Sequence, residues 1–359
     1  LAAVPEEDVI FISTSSGSTG VPTMSPFTKK DFDEFQDTES RWFWQIGMRP
    51  NDRYVHALNF SLYVGGPDVI GAQNLGALCI WGGTLPSERL LFILKTYQPT
   101  IIWTSPSYAW QLGEKALKAG IDPKKDLNIK KIIVAGELGG SIDATRKAIE
   151  DLWGAEVYDF YGLSDIFGAC AAMCEAKDGL HIAENHILVE TVDIHTGEVL
   201  KPGEVGELVF TTLRKHARPL IRFRTGDIGW IDNTPCKCGR THGRIHINGR
   251  KDDMFIVSAV NVFPSDIEAV IREQKDITGE YLIRVFEKDF TCKYSVEIEK
   301  KIDNPDTNEE VAAKVSAALK ARIGVKPYTI VVHPDGGLDT RSEHKSRRII
   351  DERKLDYSI

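Results

Sequence analysis

Apolar and polar positions follow two rhythms along this chain. Val9-Ile-Phe-Ile12 is a short apolar run of strand character, and it passes directly into Ser13-Thr-Ser-Ser-Gly-Ser-Thr-Gly-Val-Pro-Thr23. From Lys29 to Trp44, apolar Phe32, Phe35, Trp42 and Phe43 recur among charges at roughly a helical period, which Arg49-Pro-Asn-Asp52 breaks. Tyr54-Val-His-Ala-Leu58 reads as a strand. The Gly-rich Tyr63-Val-Gly-Gly66 then leads into apolar Val69 to Cys79, read as a loop feeding a buried helix. Short apolar runs then alternate with amphipathic stretches: Thr100 to Trp103, a helix from Pro106 to Lys118, Lys131 to Val134, a helix from Asp143 to Trp153, and Glu156 to Tyr158. This alternation predicts an α/β fold with an open, mostly parallel sheet covered by helices. Ligands of such sheets bind outside the carboxyl ends of the strands. The loops to watch are therefore the Ser/Thr/Gly run, Ala135-Gly-Glu137 and Asp159-Phe-Tyr-Gly162.

From about His181 the pattern changes to β hairpins, with turns at His195-Thr-Gly197 and Pro202-Gly203, which predicts a small β subdomain. Past Gly249-Arg250 a compact α+β tail follows, with helices from Ser265 to Glu273 and Asn308 to Ala321 and strands at Tyr281 to Phe286, Tyr294 to Ile298 and Tyr328 to Val332. The boundary falls at Lys251-Asp252, giving a large α/β domain over 1–250 and a small one over 251–359. A chain of 359 residues has room for both, since single cores stop growing at about 250–300 residues.

Composition narrows the class. With 42% hydrophobic and 27% charged residues the chain is of ordinary globular type, and no apolar run approaches the roughly 20 residues of a membrane helix. A cytoplasmic location is expected. The net charge of −8 gives no electrostatic footprint for nucleic acid. Six cysteines at Cys79, Cys170, Cys174, Cys236, Cys238 and Cys292 are scattered, unlike a secreted disulfide framework, so reduced thiols or a metal site are expected.

The chemistry begins with the Ser/Thr/Gly run. Glycines let a backbone approach an anion closely, and Ser and Thr add donors without bulk. Its composition also fits a flexible linker, but its place between a β-like run and Pro22 with a helical pattern favours a phosphate cradle. No Gly-Lys-Ser/Thr closes it, so it is not the P-loop of nucleotide triphosphatases. Downstream stand Tyr161-Gly-Leu-Ser-Asp165, Arg224-Thr-Gly-Asp227, Gly249-Arg-Lys-Asp-Asp253 and a basic motif around Lys345. Taken in this order with the cradle, these motifs resemble those of adenylate-forming enzymes. Gly-Val-Pro-Thr in the cradle, Pro219 to Asp227, and Arg341-Ser-Glu-His-Lys-Ser-Arg-Arg-Ile-Ile-Asp351 are most similar to the phenylacetate-CoA ligase branch. The resemblance covers essentially the whole chain and implies that a segment ahead of the cradle is missing.

The resemblance implies an ATP-dependent acid-CoA ligase, which activates an aryl or arylacetic carboxylate as acyl-AMP with release of pyrophosphate and passes the acyl group to coenzyme A. Ser16, Gly17, Ser18, Thr19 and Gly20 would hold the β and γ phosphates, and Asp165 would serve Mg²⁺ as a hard oxygen ligand. Most relatives carry glutamate at that position, which makes coordination through a water an alternative to direct contact. Tyr161, Gly136 and Glu137 match positions bordering the adenine, with Asp159, Phe160 and Gly162 beside them, and Asp227 matches the aspartate that accepts the ribose hydroxyls. Arg250 joins this ATP set, with Arg224 and Arg240 as weaker phosphate contacts. Lys345 would meet the charge developing during adenylation; the family's usual Gly-Lys is His344-Lys345 here. Because that lysine serves only the first half-reaction, the resemblance implies a mobile C-terminal domain pivoting at Asp252.

Phe60, Tyr63, Phe160 and Ile166 are candidate walls of the acyl pocket, as aromatic walls suit a flat ring. Cys236-Lys-Cys238 on a tight turn, with Cys174 and His181, would complete a closed Cys₃His set for structural Zn²⁺. The alternatives are free cysteines, or His186 as the nitrogen donor. Expected partners are a small carboxylic acid, ATP and coenzyme A, with a homodimer left open. Two other functions stay in view: an adenylyl transferase acting on the hydroxyl of a deazaflavin-type coenzyme, and a non-catalytic nucleotide-binding regulator.

Overall fold

The computed structural model describes residues 2–14, 23–58, 64–258, 260–288, 291–338 and 348–353. The chain divides into two compact units, one of Leu1–Ser141 with Ile149–Ile247 and one of Ile142–Ala148 with Asn248–Ile359. Among the described residues no helix is long and apolar enough to cross a membrane.

The first unit opens with an antiparallel pair, β1 (Val9–Thr14) and β2 (Met24–Thr28), followed by α1 (Lys29–Gln45). Thr28 starts α1 as a capping box: its side chain accepts from Asp31 N, and the Asp31 carboxylate accepts from Thr28 N. Along the chain then come β3 (Arg53–His56), α2 (Val69–Leu75), β4 (Leu78–Trp81), α3 (Ser87–Tyr97), β5 (Ile101–Thr104), α4 (Pro106–Lys118), α5 (Pro123–Asp126), β6 (Lys131–Ala135), α6 (Asp143–Trp153), whose first residues to Ala148 count with the second unit, and β7 (Glu156–Leu163). The antiparallel remainder is β8 (Phe167–Met173), β9 (Leu180–Ile182), β10 (Ile187–Val192), β11 (Gly206–Thr212), β12 (Phe223–Asp232) and β13 (Arg244–Arg250).

One sheet of eleven strands runs β10-β11-β12-β13-β9-β8-β7-β6-β5-β3-β4. Its β4-β3-β5-β6-β7 part is parallel, as the alternation predicts. Successive residues of these strands feed opposite cores. Tyr54, Ile101, Trp103, Ile133, Tyr158 and Phe160 enter one, while Val55, Ile102, Ile132, Val134 and Val157 enter the other. Burial on both faces is what a parallel sheet covered by helices requires. The hairpin-rich stretch expected as a β subdomain supplies strands that continue the same sheet.

Two local readings are corrected. Val69 to Cys79 is not one helix: Gly76, at φ +96°, caps α2, and Cys79 lies on β4. Asp159-Phe-Tyr-Gly162 is not a loop either, because β7 runs on to Leu163 by pairing with β8. That pairing was not visible locally, since it depends on Gly162 and Gly168. A Cβ on Gly162 would stand 1.8 Å from Gly168 O, and one on Gly168 would stand 2.1 Å from the Phe35 ring.

The second unit contains a hairpin, β14 (Phe255–Val257) with β15 (Val260–Val262), then α7 (Pro264–Glu273), β16 (Ile277–Lys288), β17 (Thr291–Lys300), α8 (Asn308–Ile323), β18 (Thr329–His333) and β19 (Ile349–Asp351). Its four-stranded sheet runs β18-β17-β16-β19 around an antiparallel centre. Ile283, Val285, Val296 and Ile298 of the sheet share a core with Ile267 and Ile271 of α7 and Val315 and Leu319 of α8.

Candidate active site

Ser164-Asp165-Ile166 joins β7 to β8 as a tight turn in which Ile166 N donates to Leu163 O at 2.9 Å. Its three carbonyls are held from outside. Ser13 Oγ donates to Ser164 O at 3.0 Å, Ser25 Oγ to Asp165 O at 3.1 Å, and Lys215 Nζ to Asp165 O at 3.0 Å and Ile166 O at 2.6 Å. Ser13, on β1, opens the Ser/Thr/Gly run, and Ser25, on β2, follows its end. The Asp165 carboxylate accepts from Arg218 Nη1 through Oδ1 at 2.9 Å. Its second oxygen has no bond among the described residues, so a hard anionic ligand atom remains for a divalent cation.

Lys215 and Arg218 come from a loop tied to the start of α1. Asp31 accepts from His216 N at 2.7 Å and Ala217 N at 2.9 Å. Burial would raise the Asp31 carboxyl, but the backbone N–H groups of His216, Thr28 and Ala217 outweigh it and hold it below its ordinary value. The Lys215 amine is pushed down to about 7, first by burial and then by the Arg218 charge, against the pull of Asp31 and Asp165.

A second group of polar side chains lies on β7 and β12. Tyr161 Oη donates to Asp227 Oδ2 at 2.5 Å, and Asp227 N donates to Thr225 Oγ1 at 2.9 Å. Burial, then the Asp227 charge, pushes the Tyr161 phenol well above its ordinary value, so it remains a donor. Arg224 is engaged by buried Glu207, with Nε donating at 2.9 Å. Ser141 Oγ donates to Asp159, and Gly140 is required beside it because a Cβ there would stand 2.6 Å from the Asp159 side chain. Gly136 takes φ +84°, and the space its Cβ would enter is open. Glu137 reaches the start of α4, accepting from Ser107 N at 3.4 Å.

Phe160 and Ile166, expected as pocket walls, lie in the core at 1% and 0% exposure, Phe160 edge-on to Trp103 at 5.1 Å. Beside them is a cluster the sequence reading passed over. His56 is fully buried, its Nδ1 2.5 Å from Tyr54 Oη, and burial pushes its pKa down to about 3. Glu39 on α1 and Asp68 before α2 are also fully buried, and burial pushes both carboxyls well above the ordinary range, Glu39 further under the influence of Asp68. A charged residue within an otherwise apolar stripe, as Glu39 is between Phe35 and Phe43, was the available signal.

Cys174, His181, Cys236 and Cys238 come together, their ligand atoms all within 4.8 Å of one another, and all six cysteines are free thiols. Cys174 Sγ and Cys236 Sγ are 3.7 Å apart, and Cys238 Sγ is 3.3 Å from His181 Nε2. Tetrahedral zinc at a Zn–S distance of about 2.3 Å would set thiolates about 3.8 Å apart, so the arrangement fits that metal. His181 Nδ1 lies 3.0 Å from His242 O, the outer hydrogen bond that fixes a ligating imidazole. His186 is not part of this group; its Nδ1 faces Glu34 at 3.7 Å.

Ser16, Gly17, Ser18, Thr19, Gly20, Phe60, Tyr63 and Lys345 lie outside the described residues. In the second unit Arg250 Nη2 donates to Asp252 Oδ2 at 2.7 Å, and both side chains are exposed. Arg240 pairs at the surface with Glu175.

The profile of the AMP-binding enzyme family matches residues 1–213, and that of the AMP-binding enzyme C-terminal domain matches residues 259–353. The chain is 34% identical over 375 residues to a phenylacetate-coenzyme A ligase of Thermus thermophilus, covering 99% of this chain and 83% of that protein. It is 33% identical over 360 residues to a phenylacetate-coenzyme A ligase of Escherichia coli, covering 98% and 81%. Among solved structures, a 2-hydroxyisobutyryl-CoA ligase in the postadenylation state in complex with R3-HIB-AMP gives a TM-score of 0.90 at 27% identity, covering 97% of this chain and 75% of that one. The chain therefore belongs to the adenylate-forming AMP-binding enzymes, in the phenylacetate-CoA ligase family of AMP-forming acid–thiol ligases.

Proposed function

We propose that this enzyme activates an aryl or arylacetic acid with ATP, forms the acyl adenylate with loss of pyrophosphate, and passes the acyl group to coenzyme A. The observation that carries this reading is the bracing of the Asp165 turn by Ser13 and Ser25, which draws the two ends of the Ser/Thr/Gly run to a hard oxygen ligand. A carboxylate attacking an α-phosphorus meets like-charge repulsion, so phosphate donors and a cation have to converge there. Mg²⁺ would be held by Asp165, and its charge would offset that of the phosphates. Ser16 to Gly20 cradle the β and γ phosphates, Asp227 accepts the ribose hydroxyls, and Tyr161 with Gly136 and Glu137 borders the adenine. Lys345 serves adenylation, and Asp252 is the pivot by which the 251–359 domain exchanges half-reactions.

Phe60 and Tyr63 form the acyl side, and Phe160 and Ile166, buried in the core, back it rather than line it. The aromatic class rests on the phenylacetate-coenzyme A ligases among the relatives and on the aromatic residues of this segment. The Cys₃His group holds a structural zinc, closed because the four protein ligands fill a tetrahedron. Acid-dependent ATP–pyrophosphate exchange over a panel of aryl, arylacetic and aliphatic acids tests the substrate class. Exchange strongest with an arylacetic or aryl acid is expected; exchange strongest with aliphatic acids overturns it.

A further inference from the structure

Lys215 is an uncommon use of a lysine. Its residue exposure is 7%, and its amine donates to Ser25 Oγ at 2.5 Å and to two successive main-chain carbonyls, Asp165 O at 3.0 Å and Ile166 O at 2.6 Å. The same nitrogen lies 4.0 Å from the centroid of the Phe27 ring. Taking an ammonium out of water is costly, and holding a turn in place could be left to a neutral donor. Two of its donors fix the 165–166 and 166–167 peptide planes. With Ser164 O held by Ser13, both planes flanking Asp165 are set, and with them the direction in which the Asp165 side chain leaves the backbone. The loop that delivers Lys215 is itself immobilised by the two backbone bonds to Asp31, and Arg218 from that loop takes one Asp165 oxygen at 2.9 Å.

We infer that Lys215 is a positioning residue for adenylation: it aims the Asp165 carboxylate toward the metal–phosphate site without touching substrate. The inference rests on the assignment of Asp165 as the magnesium ligand.

The test compares Lys215→Met, Ser25→Ala and Asp165→Ala with the parent enzyme. In the ligand-free protein, amide hydrogen exchange over 163–168 should speed up about tenfold in Lys215→Met, with β5 and β6 unchanged. The Mg²⁺ concentration that half-saturates pyrophosphate exchange should rise about tenfold, while thioester formation from the pre-formed adenylate of the acid turned over in the panel stays within about twofold. Ser25→Ala should shift both readouts in the same direction by a smaller factor, and it decides the matter if Lys215→Met does not fold. If Asp165→Ala leaves the magnesium requirement unchanged, the assignment of Asp165 fails whatever Lys215 does. If Asp165→Ala raises that requirement but the Lys215 and Ser25 variants do not, or if they slow both half-reactions equally, the positioning role is overturned.

Discussion

Asp227 is placed to be read by substitution. It is 5% exposed, already accepts from the Tyr161 phenol, and sits in a strand whose backbone is tied by Thr225. Asp227→Asn keeps the shape and removes the charge. Hydrogen bonds to charged groups contribute about 1.5–3 kcal/mol, so the KM for ATP should rise by roughly one to two orders of magnitude with the fold intact. An unchanged KM in steady-state kinetics would contradict the ribose role. The buried titratable groups make a separate prediction about pH. His56 is held at about 3 when folded and returns to about 6.5 when unfolded, so below pH 6.5 the unfolded chain binds a proton the folded one excludes. Stability therefore falls as pH drops from 6.5 toward 3, by up to about 1.4 kcal/mol per unit from this group. Glu39 and Asp68 act on the other side. Their raised folded values mean that their contribution is fullest below about pH 4 and is lost as pH rises through those values. Glu39→Gln should keep the acceptor for Ala169 N, bonded at 2.6 Å, and raise the melting temperature at pH 8 more than at pH 5. Thermal melts across pH 4–9 check both; a parallel shift at every pH would rule out the Glu39 titration.

At the scale of elements, the Cys₃His group brings Cys174, just after β8, and His181, on β9, together with Cys236 and Cys238 of the β12–β13 connection. Protein purified without chelator should carry one zinc per chain by metal analysis. Cys236→Ser should lose it and melt several degrees lower, since a structural zinc contributes folding free energy. Folded, active enzyme without stoichiometric zinc would remove the assignment. The two halves of this cluster were legible as residue types, but their meeting depends on β9 pairing with β13, which no local pattern encodes. The helices α1, α4 and α6 were legible nearly to the residue, because their apolar stripes and the Pro at the start of α4 mark them locally. Strand β4 and the far end of β7 were not, since one follows a helix capped by Gly76 and the other is held only by its partner β8. The same distinction applies to the site. Asp165, Tyr161 and Asp227 belong to short motifs, whereas Lys215, Arg218 and Asp31 act through contacts 49 or more residues away in the chain.

At the scale of the molecule, the assignment of half-reactions to two orientations of the 251–359 domain makes the backbone at Asp252 the decisive place. Asp252→Pro fixes φ there. Acid-dependent pyrophosphate exchange should survive while thioester formation from the pre-formed adenylate falls at least about tenfold. Equal loss of both would remove the pivot. The family to which the chain belongs joins acids to a thiol, and in the function proposed above the residues around the Asp165 turn serve the first of the two steps. Whether the second occurs here is settled most directly by the products. Enzyme incubated with ATP, Mg²⁺, coenzyme A and the acid that supports exchange should yield AMP, pyrophosphate and the acyl-CoA thioester in equal amounts, measured together by mass spectrometry. AMP joined to an added hydroxyl coenzyme, or ATP bound and recovered intact, would contradict the account.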